Sequence, residues 1–348
     1  MIMGHTFNYI IDNQKIQFLF EDDFSSILNY APQSKIVIIT DEQIDAHHNN
    51  LFSGFHVIKI HSGEINKTQQ TVDAIIDQLL AASIGKDVLI VGVGGGVVTD
   101  IAGYVASVYK RGTRLGLVPT SLLAMVDAAL GGKNGVNVGQ YKNMVGTIYQ
   151  PEFILFDLNF LKSLPISEWE NGFAEIIKHA CIKDSAMFEM LSKHNLTDYQ
   201  NNFNLLAALI EENVHLKMNV VVEDVFEKKD RKLLNFGHTL GHAIENVYNM
   251  SHGKAVSIGM VFAAKLSEKI TGFDAHSTQQ MIQLLEQYQL PTSFEIDHDK
   301  IIKLLFADKK RIGNEMHFIL LNELGSAEAK PILLNELENY INEIVLCG

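Results

Sequence analysis

The segment DVLIVGVGGGVVTDIAGYVAS (87–107) constrains the fold more than any other stretch. Its first seven residues are almost wholly Val, Ile and Leu, with no polar alternation, as in a strand buried on both faces of a parallel sheet. Three consecutive glycines, Gly94, Gly95 and Gly96, then lead into a second apolar run, which predicts a tight turn from strand into helix. KIVIIT (35–40), LGLVPT (115–120) and FILFD (153–157) read as strands of the same kind, FILFD as the last of them. Between the first two, TQQTVDAIIDQLLAAS (68–83) spaces its apolar residues by three and four and predicts a helix. Strand and helix alternating in this way predict βαβ units, an α/β fold.

From Ser167 onward the pattern becomes helical. SEWE (167–170) has the form of a capping box with Ser167 as N-cap. Helices are expected at about 203–223, 232–249, 255–270 and 277–289, and MHFILL (316–321) as an isolated strand. A chain of 348 residues predicts two domains, with the boundary at about 150–165. A formal net charge of −13 argues against nucleic acid or an anionic membrane as the main partner, because both need a net basic face. The two cysteines, Cys181 and Cys347, lie far apart in no metal-binding spacing, which suits a reducing compartment. No signal segment or run of roughly 18 apolar residues is visible, so the expected location is the cytoplasm.

The Gly94–Gly96 turn admits two readings, a backbone cradle for a pyrophosphate or a plain strand-to-helix turn, and Asp100 beyond it either meets a ligand or caps the helix. Asp127 stands in the apolar run LLAMVDAAL, where a carboxylate is costly unless paired, so it lies near Lys133 or faces a polar cleft. Lys133 and Lys142, beside Gly-rich turns, suggest an anion pocket. Glu175 and Lys178 are spaced i, i+3 among Phe173, Ala174, Ile176 and Ile177, which leaves little room for the broad polar face of a surface ion pair. His179 reads as ordinary.

His238, His242 and His252 form the strongest chemical signal. The first two share a helix face at i, i+4, as zinc ligands do, but no glutamate base lies between them. A divalent metal held by nitrogen and carboxylate donors fits, with a remaining imidazole as acid or base, and the spacing does not say which histidine is which. Arg231, one turn before Asn235 and two before His238, would aim a guanidinium at a carboxylate or phosphate.

Taken in order, SGEINK (62–67), GGGVVTD (94–100), VPTSLLAMVDAALGGK (118–133), KNMVG (142–146), FAEIIKHA (173–180), LNFGHTLGHAIE (234–245), HGKAVSIGM (252–260) and ADKK (307–310) resemble the 3-dehydroquinate synthase family of sugar phosphate cyclases over most of the chain. The resemblance implies an N-terminal Rossmann-like NAD-binding domain, 1–160, and a C-terminal all-helical metal- and substrate-binding domain, 161–348. It implies cofactor contacts from Asp41, Glu64, Lys67, Gly94, Gly95, Gly96, Val97, Asp100, Thr120, Ser121, Lys133, Lys142, Phe160, Leu161, Lys162 and Ser163. It implies one divalent metal, zinc or cobalt, on Glu175, His238 and His252. The substrate would meet Arg111, Asp127, Lys133, Lys142, Asn143, Lys178, Lys217, Arg231, Asn235, His242 and Lys309, with His242, Lys178, Asp127, Lys133 and Asn235 the catalytic candidates.

The reaction this implies is the conversion of 3-deoxy-D-arabino-heptulosonate 7-phosphate to 3-dehydroquinate and phosphate, in the shikimate route to chorismate and aromatic amino acids. It runs through transient oxidation by NAD, phosphate elimination, re-reduction and intramolecular aldol closure, so NAD is not consumed. A homodimer is also implied. The chain departs from the family in carrying Lys254 where glutamate is usual, and Val225 and Phe226 where Glu and Arg are frequent. EDVFEKK also resembles the 2-deoxy-scyllo-inosose synthases, which act on glucose 6-phosphate, whereas the Arg231 and Asn235 pair and the GGK at 131–133 follow the dehydroquinate pattern. A metal-dependent polyol or glycerol phosphate dehydrogenase shares the two-domain plan but performs net oxidation.

Overall fold

The computed structural model describes residues 5–20, 23–139, 141–295, 297, 300, 311–312 and 314–346. They form two compact units, Met1–Glu168 with Phe203–Val225, and Trp169–Asn202 with Phe226–Gly348.

The strands of the first unit are β1 (His5–Ile11), β2 (Gln14–Phe20), β3 (Ile36–Asp41), β4 (His56–Ile60), β5 (Leu89–Gly94), β6 (Arg114–Pro119), β7 (Lys133–Val138), β8 (Tyr141–Ile148) and β9 (Phe153–Phe156). Seven make one sheet in the order β1-β2-β9-β6-β5-β3-β4, antiparallel between β1 and β2 and parallel elsewhere, while β7 and β8 form a separate hairpin. Four of the strands with parallel neighbours, β3, β5, β6 and β9, are runs whose sequences lack alternation, and β5 and β9 are buried at every position. Helices α1 (Glu42–His48), α2 (Gln69–Ala81) and α3 (Gly96–Val108) make the crossovers. β3 leads through α1 to β4 on one side, and β5 leads through α3 to β6 on the other. The sheet therefore reverses direction between β3 and β5, the place where α/β sheets bind ligands at the carboxyl ends of their strands.

The second unit contains α4 (Ile166–Lys183, from Trp169 on), α5 (Ser185–Ser192) and α6 (Leu196–Asn201). The next helix, α7 (Phe203–Glu223), returns to the first unit, where His215 hydrogen-bonds Tyr9 of β1. The split is thus not a single cut near residue 160. α8 (His238–Tyr248), α9 (His252–Ile270) and α10 (Ala275–Gln287) follow in the second unit. It is not all-helical, because β10 (Arg311–Ile312), β11 (Glu315–Glu323) and β12 (Ser326–Leu333) form an antiparallel sheet before the closing helix Leu334–Leu346. The segment expected as an isolated strand is the middle one of three. Met316, Phe318 and Leu320 alternate onto one face and pack with Ile258, Phe262 and Leu266 of α9. Among the described residues, no helix is long and apolar enough to cross a membrane.

Two local expectations fail for readable reasons. α4 starts at Ile166, directly after Pro165, whose carbonyl accepts the Glu168 amide, so Ser167 lies inside the first turn and does not cap it. The helix expected over 232–249 is broken. Asp230–Asn235 is a short 3-10 turn, and Gly237 takes φ 76° before α8 begins.

Candidate active site

In the first unit, Asp41, the Gly94–Gly96 turn, Thr120, Ser121 and the Phe160–Ser163 turn all lie at the carboxyl ends of β3, β5, β6 and β9. A Cβ on Gly94 would stand 2.5 Å from Val98 Cβ, so the turn into α3 closes only with glycine there. α3 begins at Gly96 and Val97 with no side-chain cap. Asp100 does not cap it either. It lies well inside the helix and forms an ion pair with the buried Lys67, and burial pushes its carboxyl up despite that cation. Lys67 Nζ also donates to Asn143 Oδ1 at 2.6 Å. Asn137 closes the network, donating from Nδ2 to Glu64 Oε1 at 2.8 Å and accepting the Asn143 amide at 2.9 Å, while its own amide donates to the Lys67 carbonyl at 2.8 Å. Glu64 and Lys67 are thereby tied to the β7–β8 hairpin that carries Lys133, Lys142 and Asn143. Asn137 was not among the expected residues; its place in the GGK hairpin was the available signal.

Other expected residues of the first unit have partners within the protein. Asp41 caps α1 through Oδ1, which also accepts the Ser62 hydroxyl. Phe160 and Leu161 are each 1% exposed, with Phe160 in the core against Phe24, so only their backbone is left for a ligand. Lys162 donates to Asn159 Oδ1, and Ser163 Oγ lies 2.8 Å from His48 Nε2. Asp127 has Lys217 of α7 as its cation, at 2.6 Å. Arg111 lies before β6, at the amino ends of the parallel strands, with φ 64°. The structure does not bring it to the glycine turn at the opposite ends.

The second unit carries the histidines. Gly259 faces Gly237 so closely that a Cβ there would stand 2.0 Å from the Gly237 carbonyl oxygen, and a Cβ on Gly241 would stand 3.1 Å from the Ala255 carbonyl oxygen. These glycines let α8 and α9 approach, and His238 and His252, each the first residue of its helix, come to 5.4 Å between ring centres. Glu175, fully buried on α4, lies with Oε1 3.1 Å from His252 Nε2 and 3.5 Å from His238 Nε2. Its other oxygen pairs with Lys178, which is also buried, so the surface ion-pair reading is excluded.

The tautomers follow from the partners. His238 Nδ1 lies 3.0 Å from the Phe236 carbonyl, which can only accept, so Nδ1 carries the proton and Nε2 a lone pair. Burial, reinforced by Lys178, holds this imidazole down at about 3. His252 Nδ1 faces Glu245 Oε2 at 3.5 Å. Burial alone would lower His252, but its carboxylate partners Glu175 and Glu245 carry it up to about 10. Glu245 holds the far side of the ring, as carboxylates behind metal-ligating histidines do. It was missed in the sequence, though it sits one turn after His242 and, like Glu175, among apolar neighbours.

Donor atoms of Glu175, His238 and His252 all fall within 4.8 Å of one another, a two-nitrogen, one-oxygen set suited to a divalent cation. His242, Glu245 and His252 converge similarly, but there His252 turns its Nδ1 to Glu245. The His242 ring stands 5.0 Å from that of His238. Arg231 is 3% exposed, and Asn235 donates to Glu227 Oε1 at 2.5 Å. Lys309 lies outside the described residues.

Fold and donor set are those of an α/β nucleotide-binding enzyme with a histidine–carboxylate centre in its helical part. Residues 57–171 match the 3-dehydroquinate synthase N-terminal model and residues 172–311 the 3-dehydroquinate synthase C-terminal model. The 3-dehydroquinate synthase of Pyrococcus abyssi is 42% identical over 82% of this chain and 85% of its own. That of Rippkaea orientalis is 36% identical over 90% and 88%. A crystal structure of 2-deoxy-scyllo-inosose synthase, complexed with carbaglucose-6-phosphate, NAD+ and Co2+, superposes with a TM-score of 0.86 at 27% identity, over 97% of this chain and 100% of that one. The chain belongs to the 3-dehydroquinate synthase family.

Proposed function

We propose that this enzyme converts 3-deoxy-D-arabino-heptulosonate 7-phosphate to 3-dehydroquinate and inorganic phosphate, with NAD and one divalent metal ion, zinc or cobalt, as resident groups. The observation that carries this reading is the convergence of Glu175, His238 and His252 in a chain whose relatives are named for that reaction.

NAD, when bound, takes up a hydride and gives it back, and the cation polarises a substrate alcohol oxygen. Glu175, His238 and His252 would hold the cation: Nε2 of His238 already carries the lone pair a ligand needs, and the cation would replace the proton that His252 Nε2 shares with Glu175 Oε1. Glu64, Lys67, the Gly94–Gly96 turn and Asp100 would hold NAD, with the Lys67–Asp100 pair fixing both side chains. Lys133, Lys142, Asn143, Lys178 and Lys217 supply cations and a donor amide for an anionic substrate. Arg231 and Asn235 orient its carboxylate, which favours the seven-carbon acid over glucose 6-phosphate. His242 moves protons between substrate hydroxyls and solvent. We place the enzyme in the cytoplasm as a homodimer, a state supported by the exposed apolar side chains Tyr141, Met144, Val145 and Ile148 on β8 and tested by sedimentation.

The functional test is phosphate release from the heptulosonate phosphate and from glucose 6-phosphate, each with sub-stoichiometric NAD. Turnover of the first alone is expected. Turnover of glucose 6-phosphate alone would assign the chain to the other cyclase class.

A further inference from the structure

The first three residues of α9 each meet a partner on α4. His252 Nε2 lies 3.1 Å from Glu175 Oε1, the Gly253 amide donates to Asn171 Oδ1 at 2.8 Å, and Lys254 Nζ stands 3.2 Å from Glu170 Oε2. Asn171 precedes Glu175 by about one helical turn and shares its face of α4, while Glu170, the residue before, points about 100° further round the helix and is met by the longer side chain of Lys254. Gly253 marks the point of closest approach, since a Cβ there would stand 2.6 Å from Asn171 Cα. Glu170 and Asn171 are buried. Glu170 Oε2 makes no hydrogen bond among the described residues, so Lys254 serves it as a neighbouring charge and not as a directional donor. A carboxylate buried this way is costly without its counter-charge.

We propose that Glu170, Asn171 and Lys254 are positioning residues of the metal centre, clamping the start of α9 to α4 so that His252 stays in register with Glu175. The inference rests on reading Glu175, His238 and His252 as the metal ligands. The clamp acts through helix position and touches neither substrate nor cofactor. Its outermost rung is electrostatic, so exchanging the two charges together preserves the attraction while reversing either one alone turns it into repulsion. The same rung accounts for the departure at position 254, because a glutamate there would face Glu170 with like charge.

The test is the zinc affinity of the full-length protein, measured by competition with a chromophoric chelator. The set is the wild type, Lys254→Glu, Glu170→Lys, the double exchange, Lys254→Met and His252→Asn. Each single reversal is expected to weaken zinc binding roughly 10-fold or more, as loss of a residue behind a ligand does. The double exchange is expected to recover most of that loss, since the two changes couple. Lys254→Met removes only a half-exposed charge, and it too is expected to weaken zinc binding should the reversals fail to fold by circular dichroism. Wild-type affinity in Lys254→Glu or Lys254→Met, or a double exchange no better than its parts, would overturn the clamp. A wild type that takes up no zinc, or a His252→Asn variant that holds it equally well, would instead sink the metal reading on which the clamp rests.

Discussion

Lys217 Nζ donates to both Oδ1 and the main-chain oxygen of Asp127, each at 2.6 Å, across a sequence separation of 90 residues. The bond ties α7 to the short π-helical segment Ala124–Ala128 that follows β6, which is why a helix from the second half of the chain belongs to the first unit. Lys217→Met removes both of these bonds from a partly buried carboxylate and is expected to cost about 2 kcal/mol. Adding Asp127→Asn should return part of this. Thermal unfolding of both variants checks it, and equal losses in single and double variants would remove the pairing from the account.

Asn137 joins two loops expected to serve different ligands. Loss of its two side-chain hydrogen bonds, each worth about 1 kcal/mol, should raise the KM for NAD roughly tenfold in Asn137→Ala. Because Asn143 hangs on the same amide, the KM for the sugar phosphate should rise with it. A change confined to one of the two would mean that Asn137 does not couple the loops.

The division of labour among the histidines makes a sharper prediction. His252→Asn should lose the bound metal, whereas His242→Asn should keep it and turn over more slowly. Metal analysis by emission spectroscopy on both purified variants decides this. Loss of metal from His242→Asn would restore the pairing of His238 with His242 that their spacing first suggests.

Much of this was legible in the sequence. β3, β5, β6 and β9 announced themselves because strands buried on both faces need unbroken apolar runs, and α2 because its apolar spacing is helical. β1 and β2 and the β7–β8 hairpin did not, since KNGVNV and YKNMVGTI mix polar with apolar residues and β8 is largely exposed. The individual histidines were visible, but their grouping depends on Gly237 meeting Gly259 and Gly241 meeting Ala255, approaches between helices that no local spacing reveals. Glu245 and Asn137 escaped for the same reason, being recognisable only by what the fold brings against them.

Cys181 titrates in a way that gives a pH dependence of stability. Burial raises its thiol from 9.0 to about 12. Between those values the unfolded chain gives up a proton that the folded chain keeps, so stability is undiminished by this group below pH 9 and falls as pH rises toward 12, by up to about 1.4 kcal/mol per pH unit. Thiol reagents at pH 8 should leave Cys181 unmodified until the protein unfolds, as peptide mapping would show. Rapid labelling of Cys181 in the native protein would contradict its burial.

The most direct measurement follows phosphate and NADH together while the metal-loaded enzyme turns over the heptulosonate phosphate with sub-stoichiometric NAD. One inorganic phosphate per substrate consumed, many turnovers per NAD, and no lasting rise in absorbance from NADH are expected. One NADH per substrate with no phosphate released would contradict it and identify a net dehydrogenase.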